Sequence, residues 1–297
     1  MLVAGAISTF VVAGCGGGGD SSSNANTGGT AAAASAPIVA STPVVLQPGA
    51  PGSSSQPVMV GEALPSLASP QAGSTAATAT GPIGIWTASG SLGYETIALV
   101  DPHNKLTTMN TLGVIVMSDD FTNLTVNGTT WSVSSGINFD DRTGVIKQID
   151  SGSGAYSAKQ TLSGTIVRAG TPSNFTWTYN AENALSVTQD SVVGTWATTN
   201  ASFTIGSGGA VSGTLGGCNM GGTVLLATPG SNQNMYDMTL TASASTGCSV
   251  PAGIPLSGSA AIMFVPIRGT NGFKRSILYV LRAADSSFVA YGQVIKQ

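Results

Sequence analysis

The chain is poor in charge and poorer still in catalytic side chains. Only 8% of its 297 residues are Asp, Glu, Lys or Arg, and there is a single histidine, His103. No lysine or arginine precedes Lys105, and the net charge is −3. The basic clusters that hold a phosphate backbone are missing, so no nucleic-acid partner is expected. One histidine leaves a Ser-His-Asp triad a single base, and His103 lies in the turn-like stretch VDPHNK with no Gly-X-Ser-X-Gly elbow elsewhere. Cys15, Cys218 and Cys248 form no Cys-X-X-Cys pair and have no histidine near them in sequence, so no zinc-type site is expected. No catalytic residue and no cofactor are expected. Nor is there a window of 18 apolar residues, which a membrane-spanning helix of about 20 residues would need.

What the chain does have is glycine, 40 of them, with much Thr, Ser and Val. That composition suits many short strands joined by glycine turns. Residues 1–14, MLVAGAISTFVVAG, form an apolar run of the length of a signal-peptide core. It carries no positive n-region, and a basic leader is expected upstream of Met1. The run ends in Val12-Ala13-Gly14-Cys15 and dissolves into glycine and serine. This junction resembles the lipobox of bacterial lipoproteins. The resemblance implies cleavage before Cys15, acylation of its thiol, and a lipid anchor in a membrane. With Gly16 rather than Asp after the cysteine, resemblance to lipoprotein sorting points to the outer membrane. Residues 15–80 are then the lipidated cysteine and a Gly/Ser/Ala/Pro linker, with almost no charge, no aromatic residue and no apolar periodicity. As a coil, such a linker would span about 45 Å. Glu62 within it reads as solvated.

Folding signals start at GPIGIWTASG. A turn is expected at Asp101–Asn104 and a hairpin at Asn127-Gly128. In NFTWTYN, a period of two puts Phe175, Trp177 and Tyr179 on one face. Gly194-Thr195-Trp196 echoes Gly84-Ile85-Trp86, 110 residues earlier. The reading is all-β, with two tandem antiparallel β-barrel or β-sandwich domains at 81–180 and 190–297. Residues 181–189 form a connector with the best helix propensity in the chain. The Gly-X-Trp opening followed by a meander resembles lipocalin-like small barrels. The pattern NAENALSVTQDSVVGTW, GGCNMGGTV and GCSVPAGIPLSGSA resembles uncharacterised proteobacterial lipoproteins with paired β domains and a Cys-containing second repeat, a resemblance covering most of residues 81–297. With Cys15 acylated, Cys218 and Cys248 remain, and an even pair in an exported protein reads as a disulfide.

The remaining candidates are acidic. Asp119-Asp120 and Asp140-Asp141 each end a strand-like run. Such clusters are candidates for calcium, which takes six to eight oxygens, or for a glycosidase acid and base. Asp-rich turns are the bland alternative. Trp131, Trp177 and Tyr179 read as core before they read as a stacking face for sugars or peptides. Lys274-Arg275 reads as a solvated hairpin end after the turn at Asn271-Gly272. The expectation is a lipid-anchored envelope protein with a binding, adhesion or structural role, its partner a protein, a glycan or a small apolar ligand. Two alternatives stand beside it: a carrier enclosing an apolar ligand in a lipocalin-like barrel, and a hydrolase using the acidic pairs.

Overall fold

A computed structural model describes residues 60–248 and 250–297. The expected signal peptide at 1–14, Cys15 and most of the linker lie outside the described residues.

The first domain runs through β1 (Gly84–Ser89), β2 (Tyr94–Val100), β3 (Lys105–Leu112), β4 (Ile115–Asn123), β5 (Thr125–Asn127), β6 (Thr130–Val133), β7 (Gly136–Asp140), β8 (Val145–Ser157), β9 (Thr161–Arg168) and β10 (Thr171–Tyr179). Eight of these close a ring in the order β1-β2-β3-β4-β7-β8-β9-β10, with β10 returning to β1. The ring is antiparallel throughout. The β5–β6 hairpin, turning at Gly128 as expected, is an appendage on β8. The first half of β8 pairs with β7 and its second half with β6, and its register on β9 shifts between Ile149 and Ser151.

The second domain is a closed meander of β11 (Gly194–Ala197), β12 (Ala201–Ile205), β13 (Ala210–Leu215), β14 (Cys218–Leu226), β15 (Tyr236–Ala242), β16 (Pro255–Pro266), β17 (Phe273–Ala283) and β18 (Val289–Lys296). Both domains are therefore barrels, and closure leaves neither ring an open edge.

The Trp echo marks equivalent positions. Trp86 and Trp196 each lie on the first strand, fully buried. Each indole N–H donates to the carbonyl four residues back, Pro82 at 2.8 Å and Val192 at 2.7 Å. The glycines two residues before them, Gly84 and Gly194, have φ of 140° and 124°, which side-chain-bearing residues avoid.

Alternation along the strands builds two kinds of core. Inward positions of barrel 1 carry Trp86, Val100, Leu106, Trp131, Ile149, Leu162, Ile166, Trp177 and Tyr179. Phe175 stacks on Trp177 at 4.0 Å and on Trp131 at 5.6 Å, so the expected aromatic face of β10 is core. Trp131 is admitted by two facing glycines, Gly154 and Gly164, where a Cβ on either would strike its ring. Outward positions Ile85, Leu99, Met109, Phe121 and Phe139 meet Met263, Leu278, Val280, Val289 and Tyr291 on the outside of barrel 2. The two barrels thus share a third, apolar core between them, within one compact unit.

Two expectations about the connecting segments are corrected. The coil expected through residue 80 ends earlier. Residues 60–79 form a strap across one end of barrel 2, with a single helical turn, α1 (Thr75–Thr78), capped by Ser74. Backbone bonds hold it: Glu62 exchanges two with Phe273, and Gln71 N–H donates to Ala184. Its polar side chains are used as well, the Thr75 hydroxyl accepting from Asn234 N–H at 2.9 Å. Glu62 is not merely solvated, nor is Arg275, since the two form an ion pair at 2.8 Å. The expected connector between the barrels holds two 3-10 turns, Ala181–Ala184 and Gln189–Val192.

Candidate functional site

Each of the two aspartate pairs is split by the strand period. Successive residues of a strand face opposite sides, so Asp120 points into barrel 1 while Asp119 points out toward barrel 2.

Inside the barrel, Asp120 receives a forked pair of bonds from Arg168, Nε to Oδ1 at 2.9 Å and a terminal nitrogen to Oδ2 at 2.6 Å. Asn138 donates to Oδ1 at 2.9 Å and Thr108 to Oδ2 at 3.0 Å. This carboxylate is fully engaged, and the network ties β3, β4, β7 and β9 together from within. The sequence reading missed Arg168 because it lies 48 residues away in the chain.

Asp140 organises the β7–β8 turn. Its Oδ1 accepts from the backbone N–H groups of Arg142 and Thr143, and Arg142 and Lys147 lie 3.7 and 4.0 Å from Oδ2. Slight burial opposes ionisation, but the bonds from Thr143 and the charge of Arg142 hold this carboxyl below its ordinary value.

Asp119 and Asp141 do come together. On the outward face Asp119 lies opposite Phe139 and Asp141 N–H donates to Met117 O, which makes the two carboxyls diagonal neighbours at the join between the barrels, with Tyr291 of β18 acting on Asp141. Asp119 is fully buried and Asp141 nearly so. Treated as carboxylates, none of their four oxygens has a well-placed donor. Barrel 2 covers the pair. Among the described residues, no group of three or more His, Cys, Asp and Glu is placed to hold a metal ion.

His103 is exposed in the β2–β3 turn, where Asp101 Oδ1 accepts from the backbone N–H groups of His103 and Lys105. Glu182, unremarkable in sequence, is buried in the first 3-10 turn, and burial pushes its carboxyl up. The two remaining cysteines form the expected disulfide, Cys218–Cys248.

The part of the molecule that faces outward with unusual chemistry is one end of barrel 1. Strand directions put the β1–β2, β3–β4, β7–β8 and β9–β10 loops at this end. Three of them expose large apolar side chains: Leu92 and Tyr94, Ile115, and Val145 with Ile146. Leu92 is 87% exposed and adopts φ 64°, ψ 19°. A left-handed leucine costs about 1–2 kcal/mol, and here it presents its side chain to solvent. Gly113 N–H donates to Gly93 O at 2.9 Å, joining the first two loops. The Asp120–Arg168 network lies beneath the rim and braces the strands that carry it. Sequence reading missed this patch because its members are scattered over three turns. No protein family, curated protein or solved structure matches the chain.

Proposed function

We propose that the chain is a lipid-anchored protein of the cell envelope with a non-catalytic binding role, and that the apolar rim of barrel 1 is its recognition surface. The rim carries the reading. Soluble surfaces rarely gather several large apolar side chains without use, and a strained residue at the tip of such a patch is a further pointer. The two docked barrels give it a rigid base. The anchor rests on the lipobox resemblance at Cys15, and the outer membrane on Gly16. The carrier alternative is less favoured, because large side chains such as Trp196, Phe203, Tyr236 and Tyr279 fill the interior of barrel 2.

The test has two parts. In a Gram-negative host, palmitate label should enter the wild type and not Cys15→Ala, and the label should fractionate with the outer membrane. A photo-crosslinking residue at Leu92 or Ile115 should give discrete adducts on intact cells, whereas one at His103, at the opposite end of barrel 1, should not. Equal adducts from both ends would defeat the rim assignment, and absence of label would defeat the anchor.

A further inference from the structure

Two carboxyl groups meet where the barrels join, and the neighbouring cations are committed elsewhere. On β4, Asp120 turns into the barrel onto Arg168. On β7, Asp140 is held by Arg142 and Lys147. From barrel 2, β18 presents Tyr291, with Tyr279 of β17 behind it. Arg282 of β17 lies over the Phe121 ring, 5.5 Å from its centroid. The groups acting on Asp119 are Asp141 and Asp120. Those acting on Asp141 are Asp119, Asp140 and Tyr291.

Two carboxylates in contact, stripped of water and without a counterion, repel each other and lose hydration at once. One proton between them removes both penalties, because one carboxyl then donates to the other. Charging the pair sets this repulsion inside the apolar layer that holds Phe121 and Phe139 against Leu278, Val289 and Tyr291.

We propose that Asp119 and Asp141 form a proton-operated latch between the two barrels, closed while the pair holds a proton and slackened when both carboxyls ionise. Burial, followed by the charges of Asp141 and Asp120, pushes Asp119 well above the ordinary aspartate value. Burial pushes Asp141 up to about 7. An acid whose pKa is higher folded than unfolded binds more protons in the folded state. Its contribution is complete below the unfolded value of roughly 3.9 and is lost as pH rises through the folded one. The join is therefore tight in acid and slackens toward and above neutrality.

The test is thermal melting of the full chain from about pH 4.5 to about pH 8.5, with hydrogen exchange read strand by strand. The wild type should lose several degrees across this range. After correction for intrinsic exchange rates, protection should fall first in β4, β7, β17 and β18. The double variant Asp119→Asn/Asp141→Asn should flatten the profile. Tyr291→Phe, which removes the hydroxyl that favours the ionised form of Asp141, should extend the fall to higher pH. The latch is overturned by a Tyr291→Phe profile superposable on the wild type, or by protection lost equally throughout both barrels. It is also overturned if calcium at about pH 8 restores the wild type and not the double variant, which would make the pair a cation site.

Discussion

The two barrels begin alike and are finished differently. Each opens with a glycine at positive φ and a tryptophan whose indole caps the chain four residues back. From there barrel 2 is a plain meander with an apolar interior, stapled across its β13–β14 end by Cys218–Cys248. Barrel 1 instead carries an extra hairpin, a charged network at Asp120–Arg168 and an aromatic stack seated on glycine. The barrel with polar cross-bracing is also the one with the apolar rim. A charged network inside a barrel fixes strand positions through directional bonds, whereas an apolar core fixes volume. The contrast divides the labour: barrel 2 supplies bulk and a docking wall, and barrel 1 holds its loops in place.

Breaking the shared feature should have the largest effect. Trp86→Ala and Trp196→Ala should each cost about 4 kcal/mol by urea denaturation. A clear inequality would mean the two openings are not energetically equivalent. Opening the staple by Cys218→Ala/Cys248→Ala should remove about 3.5 kcal/mol in the chain-entropy model for its 30-residue span. Hydrogen exchange should place that loss in barrel 2 first. Asp120→Ala leaves Arg168 partly buried and unpaired, and should cost about 3 kcal/mol. Loop signals at the rim should broaden with it, since β4 and β9 lose their tie. The smallest effect sharpens the contrast most. Leu92→Gly should leave stability within about 0.5 kcal/mol of the wild type, because glycine accepts the same backbone angles. It should nonetheless abolish the crosslinks expected from Ile115.

Much of the fold is legible in the sequence, because local chemistry decides it. Asn127-Gly128 turns a hairpin, Asp101 caps its own turn through Oδ1, and the two Gly-X-Trp stretches begin equivalent strands. Barrel and sandwich were not separable, since the deciding contacts, β10 on β1 and β18 on β11, join chain ends far apart in sequence. The strap at 60–79 has the composition of a coil. It is ordered by backbone bonds to Phe273 and Ala184 and by hydroxyls fitted to Asn234 and Ser74, which composition does not record. The aspartates were visible as pairs, but their partners were not. Which face of β4 would be covered depends on a second barrel whose Tyr291 lies 172 residues beyond Asp119 (291 minus 119).

The strap has a mechanical consequence. It joins the body at the β16–β17 turn, where Glu62 bonds Phe273 through the backbone and Arg275 through its carboxylate. Any pull delivered through the segment before Val60 loads these few bonds to β17 first. The strap would then yield from Glu62 toward Ser74 while both rings stay closed, which makes this seam a fuse ahead of the barrels.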